Sequence, residues 1–432
     1  MKSNPRFSIH RIKRLAKEGS WIIVGQIATV IASLVLVRVL TDHLSSMQYG
    51  QLALGLTVAG LINQVLMGGI IASAGRFYSI AVEKQDLGGY LHATRSLMLR
   101  ATIVVGILGV VIFTGLLWLS YSNWIPLAAA ALVFSVISAY NSVFYSIQNA
   151  ARHRSTVAFY SSLDAWLKIG LVLGVMFWLG NSSTAVVIGY ACSSLLILFS
   201  QLASLRHSLF TQRQDSAVDF QWQEKIWTFS LPFSTWGIFT WMQLASDRWA
   251  LQTFATTTDV GHYAVLFQIG YTPIALATGL IMNFLSPIFS QISGDATCHV
   301  RNTNVHNLVW RSTQISLVIT LFGFVITFFI HKWIFYLLVA EQYNSSSILL
   351  PWVVLAGGLF ATGQMLSLKL TSELKTLSLS IVKISTALIG ILCNVLGAMY
   401  YGVQGVVFGL VIFSTIYFIW MTVIGSNSLA KK

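Results

Sequence analysis

Charged residues are scarce in this sequence. Only 9% of its 432 residues are Asp, Glu, Lys or Arg, whereas an average soluble domain has about 25%. So few charges cannot cover a surface that faces water, which excludes a soluble enzyme and a disordered chain. Cysteine is scarcer still, because only Cys192, Cys298 and Cys393 occur, far apart and without a CxxC pair. We therefore expect neither a disulfide framework nor a cysteine-based metal site.

Sequence motifs for catalysis are also missing. The chain contains no GxxxxGKS/T loop for a nucleotide and no HExxH pair for a metal. Its 9 histidines are scattered, mostly in loops or near the ends of apolar runs. We therefore expect no catalytic residues, no cofactor and no bound metal. The chain is predicted not to be an enzyme and not to hydrolyse ATP.

Long apolar runs fill most of the chain instead, and 56% of the residues are hydrophobic. A membrane-spanning helix needs about 20 such residues. A sliding window finds about twelve candidate spans, at 20–41, 49–75, 101–119, 125–148, 157–179, 184–204, 227–254, 261–289, 310–330, 347–367, 377–399 and 402–424. The runs are continuous and do not alternate with period two, which excludes a β-barrel. The fold class is predicted to be an all-α polytopic membrane protein.

Basic residues lie almost entirely on one side of these spans. With the N-terminus inside, 21 of the 26 Lys and Arg fall in cytoplasmic segments, Lys332 alone falls outside, and four fall within spans. This is the positive-inside pattern, so we expect both termini to be cytoplasmic. The net charge of +13 therefore does not indicate a nucleic-acid partner. The basic first 19 residues resemble the start of a signal peptide, but the long apolar run after them predicts a retained first span.

The two halves of the chain resemble each other at a fixed offset. Arg38 ends the first span and Arg248 the seventh, 210 residues later, and Gly50 corresponds to Gly261 at an offset of 211. Six spans per half give both halves the same orientation, and transporters built from such parallel repeats bind substrate between the halves. The longest polar connection between spans is Leu205–Lys225. We therefore predict an N-terminal lobe at 1–212 and a C-terminal lobe at 213–432.

A local motif in the first half suggests a family. After the basic N-terminus and Gly19-Ser20, residues 38–54 read RVLTDHLSSMQYGQLAL, which resembles the opening of bacterial polysaccharide flippases, the Wzx-type O-antigen transporters. These belong to the multidrug/oligosaccharidyl-lipid/polysaccharide exporter superfamily, which includes multidrug and toxin extruders and lipid II flippases. This chain has Thr41 and Gln48 where the family usually has Gly and Glu. The similarity in length, span count and two-half organisation covers the whole chain.

This resemblance implies a function and an architecture. Two pseudo-symmetric six-helix lobes would surround a central cationic cavity in the bacterial inner (plasma) membrane. Undecaprenyl-pyrophosphate-linked oligosaccharide would move by alternating access from the cytoplasmic to the outer leaflet, for assembly of the O-antigen of lipopolysaccharide. The implied partners are the lipid-linked oligosaccharide, membrane lipids, and a polysaccharide polymerase with other assembly proteins.

The charged residues within the predicted spans also indicate an anionic lipid-linked substrate. Charges within spans usually face a bundle interior or an aqueous cavity, and the predicted spans contain four cations and two anions: Arg38, Lys168, Arg248, Lys383, Asp164 and Asp247. A lipid pyrophosphate requires such a positive excess, and Arg binds phosphate oxygens in a bidentate fork. We take Arg38, Arg248, Lys383 and Lys168 as candidate substrate-binding residues. Arg76, at the cytoplasmic end of span two, could receive phosphate on entry.

Each of these residues has a second interpretation. Arg38 and Arg248 lie near helix ends and could instead extend to lipid head groups. Asp164 and Lys168 are four residues apart and could neutralise each other, and Arg76 could be a positive-inside anchor. Asp247 or Asp164 could alternatively bind a coupling proton or cation.

Two other functions remain open at this point. A sodium- or proton-coupled multidrug extruder would share the architecture but would centre on carboxylates rather than on cations. A membrane enzyme of polysaccharide assembly, such as a polymerase or acyltransferase, generally needs a sizeable external loop or a clustered catalytic site. The longest external segment here, about His331–Ser346, is short.

Overall fold

The structure is a computed structural model, and it describes residues 9–210, 220–293, 299–372 and 376–430. Within these ranges the chain is almost entirely helical, which confirms the predicted fold class. The helices are α1 (Ile9–His43), α2 (Ser46–Leu61), α3 (Gly68–Glu83), α4 (Leu87–Trp118), α5 (Ile125–Ala150), α6 (Arg154–Leu179), α7 (Ser183–Phe210), α8 (Phe220–Phe254), α9 (Thr257–Gly270), α10 (Thr272–Ser293), α11 (His299–Leu338), α12 (Leu350–Ser372) and α13 (Thr376–Ala430). Short helical turns at Ile62–Leu66, Ser122–Trp124 and Glu341–Leu349 connect some of them.

These helices account for the predicted spans. The described residues contain 10 helical segments long and apolar enough to cross a membrane. One of them, Leu379–Ser426, has 48 residues, enough for two spans of about 20 residues, and Gly402 interrupts it with φ 55° and ψ −132°. Helix α8 is not among the 10 segments, but its 35 residues are long enough to cross. When Leu379–Ser426 is counted as two spans and α8 is added, the described helices overlap all twelve predicted spans.

The outward faces of the helices are apolar, as a lipid-facing surface requires. On α4, for example, Ile103, Ile107 and Val111 are each at least 60% exposed. Helix α4 begins earlier than the predicted span at 101, because the Asp86 carboxylate accepts a hydrogen bond from the amide of Gly89 (3.0 Å) and caps the helix there.

The chain divides into two compact units, and neither is continuous in sequence. The first unit contains Met1–Leu36 and Val58–Ile238, and the second contains Val37–Thr57 and Phe239–Lys432. The end of α1 and the start of α2 therefore belong to the second unit. The predicted lobe boundary at 212–213 and the middle of the predicted linker lie outside the described residues, as does Cys298.

Buried polar side chains join helices within the first unit. Asn141 on α5 donates to the carbonyl of Ser194 on α7 (2.7 Å), Gln201 donates to Asn141 (3.1 Å), and Gln148 donates to Gln201 (3.2 Å). At the start of α8, the Trp222 indole donates to the Asp86 carboxylate (2.6 Å). Polar groups buried in an apolar bundle need such partners, so these bonds fix how α5, α7 and α8 pack.

The second unit contains an unusually close helix crossing. Gly50 on α2 and Gly261 on α9 face each other, and a Cβ atom at either glycine would lie about 2 Å from a backbone oxygen of the opposite helix. Only glycine allows two helix backbones to approach so closely. These are the two glycines that correspond in the sequence repeat, so the repeat-equivalent helices touch at equivalent positions.

Candidate functional site

Asp247 on α8 is the most deeply buried acidic residue among the predicted site residues. Its side chain is 4% exposed. Carboxylate atom Oδ2 accepts a hydrogen bond from the hydroxyl of Tyr263 on α9 (2.6 Å), and Oδ1 accepts one from the amide of Arg248 (2.6 Å). Charge-assisted hydrogen bonds of this length are among the stronger ones in proteins. They hold the carboxylate in one orientation inside the second unit.

The neighbouring Arg248 is only weakly paired. Its Nη1 atom lies 3.9 Å from Asp247 Oδ1 and donates to the carbonyl of Leu244 (3.1 Å). The guanidinium carbon lies 5.0 Å from the centre of the Phe267 ring, within the range of a cation–π contact. Atom Nε is buried and donates to no acceptor among the described residues. A guanidinium has five N–H donors, so Arg248 retains donor capacity for an anion.

A small cavity lies beside Asp247 within the second unit, with room for about one water molecule. Its polar lining residues are Asp247, Gln243, Asn394 and Tyr271. Asn394 Nδ2 donates to Ser246 Oγ (2.9 Å), while Asn394 Oδ1 is buried and accepts no hydrogen bond from the described residues. Carboxylate and amide oxygens are ligands of small hard cations. The cavity therefore places side-chain oxygens next to the Asp247 carboxyl group.

Asp164 and Lys168 form an ion pair in the first unit, as their spacing predicted. Lys168 Nζ lies 2.7 Å from Asp164 Oδ2, and the hydroxyl of Ser193 donates to Oδ1 (2.9 Å). The ammonium also lies 5.9 Å from the ring centres of Phe134 and Tyr190. Both carboxylate oxygens thus have partners, and the two charges neutralise each other.

Arg38 has a well-defined structural environment in the second unit. Its Nε atom lies 3.1 Å from Asp42 Oδ2, with both side chains about 40% exposed. Its Nη1 atom donates to the carbonyl of Val339, directly after the end of α11. Carbonyls at a helix C-terminus have no partner within the helix and attract cations. Arg38 therefore caps α11.

The other two predicted cations differ in burial. Lys383 is half-buried on α13, in the second unit, whereas Arg76 is exposed on α3, in the first. Asp164 and Lys168 share the first unit with Arg76, and Arg38, Asp247 and Arg248 share the second with Lys383. The predicted residues thus fall into two groups, one in each unit.

Asn394 and Lys369 are among the buried polar residues that the sequence analysis did not single out. Asn394 could have been noticed, because it is an amide within the predicted span 377–399. Lys369 follows the predicted span 347–367 and was counted among the 21 cytoplasmic basic residues. It is nevertheless fully buried in α12, with Nζ 2.8 Å from His306 Nδ1 and bonded to the carbonyl of Gly425. Helix α12 continues to Ser372, which places Lys369 inside the bundle.

Comparison by sequence identifies one family. The model of a family described as polysaccharide biosynthesis protein matches residues 15–293, more than half of the chain. A sequence search among curated proteins finds no match.

Solved structures with the same fold are transporters. The chain is similar to an inward-facing multidrug resistance MATE family transporter of the MOP superfamily, with 17% identity, a TM-score of 0.67, and coverage of 94% of this chain and 96% of that one. It is also similar to the lipid II flippase MurJ in an inward closed conformation, with 13% identity, a TM-score of 0.68, and coverage of 95% and 87%. A mutant of the Vibrio cholerae MATE transporter VcmN gives 16% identity, a TM-score of 0.62, and coverage of 97% of both chains.

Proposed function

This chain belongs to the polysaccharide biosynthesis protein family and is a multi-pass membrane protein, and from this premise we propose that it is a flippase and propose its substrate. The substrate is undecaprenyl-pyrophosphate-linked oligosaccharide. The protein moves it from the cytoplasmic to the outer leaflet by alternating access, and the oligosaccharide is then used for surface polysaccharide assembly. The membrane is the bacterial inner membrane, and a polymerase and other assembly proteins act on the product.

The observation that carries this proposal is that the guanidinium of Arg248 has hydrogen-bond donors without acceptors among the described residues. An intramembrane arginine is costly, and a structural arginine would be expected to use its donors on nearby acceptors. Here the contact with Asp247 is long at 3.9 Å, and Nε is buried without an acceptor among the described residues. Pyrophosphate oxygens supply the acceptors that this guanidinium lacks. Lys383, half-buried in the same unit, adds a second cation.

A cell-based assay tests the proposed substrate. Cells that lack this chain should accumulate undecaprenyl-pyrophosphate-linked oligosaccharide in the cytoplasmic leaflet and lose surface polysaccharide. Restoring the wild-type chain should reverse both effects. Normal surface polysaccharide in the deletion strain would contradict the proposal.

A multidrug exporter is the second candidate, and two observations favour it. The fold is similar to that of the MATE transporters, and the buried carboxylate of Asp247 is of the kind that such a transporter would use. The same deletion strain separates the two functions. A multidrug exporter predicts increased sensitivity to cationic drugs with normal surface polysaccharide.

We also propose that Asp247 binds the coupling cation, and that this ion is sodium. The cavity beside Asp247 is small, and its lining residues include one carboxylate, two side-chain amides and the tyrosine Tyr271. Asp164 was the other predicted residue for this role, but Lys168 neutralises its charge at 2.7 Å, whereas the nearest guanidinium nitrogen of Arg248 lies 3.9 Å from Asp247. Asp247 is therefore the stronger of the two candidates.

Sodium should stabilise the purified wild-type protein against thermal unfolding, relative to choline at equal ionic strength. A ligand present at about 100 times its Kd stabilises a protein by about 2.7 kcal/mol. Asp247→Asn should lose this stabilisation, because it removes the negative charge at nearly constant volume. The matched control is Glu341→Gln, which removes an exposed carboxylate and should respond to sodium like the wild type. Equal stabilisation of Asp247→Asn would contradict the assignment.

The orientation of the chain can be measured independently of the substrate. Because 21 basic residues lie on the predicted inner side and one lies outside, reporter fusions at both termini and within Leu205–Lys225 should be cytoplasmic. A fusion in the segment that contains Lys332 should be external. A reporter in Leu205–Lys225 that proves external would overturn the topology.

A further inference from the structure

A π-helical turn at Ile62–Leu66 interrupts the second span, between α2 and α3. The amide of Met67 bonds to the carbonyl of Ile62, five residues earlier, at 3.1 Å. Ile62 and Met67 are both buried, whereas the four residues between them are only half-buried. The wider turn therefore carries the two amide residues Asn63 and Gln64 out of the core. Turns of this kind inside α-helices are frequent at functional sites.

The side-chain amide of Gln64 has no partner among the described residues. Its Oε1 atom is buried and accepts no hydrogen bond. Gln148 and Asn394 also have a buried oxygen without a donor, but each of them donates from its nitrogen to a neighbouring side chain. Within the described part of the chain Gln64 forms no such bond, whereas the adjacent Asn63 donates to the carbonyl of Ala59 (3.1 Å).

An unpaired amide within a membrane span is unfavourable, because hydrocarbon offers it no hydrogen bond. A methionine of nearly the same size would avoid this cost. A polar group that is retained without a partner requires a physical explanation. The simplest one for Gln64 is a ligand that supplies a hydrogen-bond donor to Oε1 while it is bound.

The backbone at Gln64 is held firmly in place although its amide is unpaired. Helix α8 passes directly over the turn, where a Cβ atom at Gly237 would overlap the backbone oxygen of Gln64. One segment further on, a Cβ atom at Gly69 of α3 would lie 2.8 Å from Cβ of Ser230 on α8. Glycine allows helices to approach this closely. These contacts, all within the first unit, present the amide from a fixed position, as a binding site requires.

From these features we propose that Gln64 binds the sugar part of the substrate, through a sugar hydroxyl that donates to Oε1. The polyprenyl chain has no polar hydrogen, and an ionised pyrophosphate only accepts hydrogen bonds. A sugar hydroxyl both donates and accepts, and so does a glutamine amide, so that one hydroxyl can pair with Gln64. The proposal rests on the proposed function, and it adds a contact for the oligosaccharide to those proposed for the pyrophosphate.

The variant Gln64→Met tests this contact, because it keeps the size of the side chain and removes both polar atoms. The purified variant should unfold at a higher temperature than the wild type, since the unpaired amide is gone. Polysaccharide export, normalised to the membrane level of the protein, should fall about fivefold, the loss expected from one neutral hydrogen bond. Export at the wild-type rate, or a lower unfolding temperature, would overturn the proposal.

The matched control is Gln201→Met, the same substitution at a paired amide of the same unit. Gln201 donates to Asn141 (3.1 Å) and accepts from Gln148 (3.2 Å), so its replacement leaves two buried polar groups without partners. Gln201→Met should therefore unfold at a lower temperature than the wild type, while its export, normalised to the membrane level, stays unchanged. The two glutamines are thus expected to respond in opposite directions.

Thermal unfolding with two soluble probes separates the sugar contact from the proposed function. The probes are inorganic pyrophosphate and the oligosaccharide released by mild acid from the lipid-linked pool of the deletion strain. The oligosaccharide should stabilise the wild type and Arg248→Ala but not Gln64→Met, whereas pyrophosphate should stabilise the wild type and Gln64→Met but not Arg248→Ala. Equal stabilisation of the wild type and Gln64→Met by the oligosaccharide would refute the sugar contact alone. A wild type that responds to neither probe would refute the proposed substrate, and the sugar contact with it.

Discussion

Replacing Arg248 with alanine is expected to lower polysaccharide export about 10- to 150-fold while the protein remains at its normal level in the membrane. Each charge-assisted hydrogen bond to the pyrophosphate contributes about 1.5–3 kcal/mol, and about 1.4 kcal/mol corresponds to a factor of ten in binding. The folded protein loses little, because the pairing of Arg248 with Asp247 is loose. The measurement is surface polysaccharide normalised to the membrane level of each variant.

Two comparisons identify the cause of the expected loss. Arg248→Lys should retain part of the activity, because the charge remains but the bidentate fork does not. Lys332→Ala removes an exposed cation outside the site and should export normally. Alanine at Lys383, which is also half-buried in the second unit, should lower export as well. If Arg248 only reached for lipid head groups, Arg248→Lys would be fully active and Arg248→Ala would mainly lower abundance. Wild-type export by both alanine variants would refute the binding role.

The second large effect is expected in stability rather than in transport. Asp164→Ala should destabilise the protein by about 3 kcal/mol, because it leaves the ammonium of Lys168 mostly buried without its carboxylate. The double variant Asp164→Ala/Lys168→Met should recover most of this loss, since it removes both charges. Thermal unfolding of the purified variants in detergent provides the free energies.

The same double variant tests whether the pair has a transport role. A purely neutralising pair predicts that Asp164→Ala/Lys168→Met exports nearly as well as the wild type. Loss of export in a double variant that is folded and stable would show that Lys168 or Asp164 acts on the substrate or on the coupling ion. Asp42→Asn is a useful control, because it breaks an exposed ion pair and should change stability little.

Sequence patterns predicted the features that depend on neighbours along the chain. The apolar runs located the helices, and the four-residue spacing of Asp164 and Lys168 predicted their ion pair. Helix ends were predicted less well, because polar helical extensions leave no hydropathy signal. Helix α11 begins at His299, eleven residues before the predicted span at 310, and α4 begins at its Asp86 cap.

Contacts between distant segments could not be read from the sequence. The bond from Tyr263 to Asp247 and the bond from Asn394 to Ser246 each depend on how separate helices pack. The repeat identified Gly50 and Gly261 as equivalent, but it contained no information that the two glycines touch. Lys369 was assigned to a cytoplasmic segment because a lysine near the end of an apolar run usually lies there, whereas His306 and Gly425 provide partners for it inside the bundle.

The most direct test of the central claim uses the purified protein in liposomes that contain fluorescent undecaprenyl-pyrophosphate-linked oligosaccharide. A membrane-impermeant glycosidase added outside digests only the oligosaccharide exposed in the outer leaflet. The proposed function predicts that the wild-type protein makes the protected inner-leaflet pool accessible, and that Arg248→Ala leaves most of it protected over the same time. An inner-leaflet pool that stays protected with the wild-type protein, in liposomes that transport cationic drugs, would contradict it.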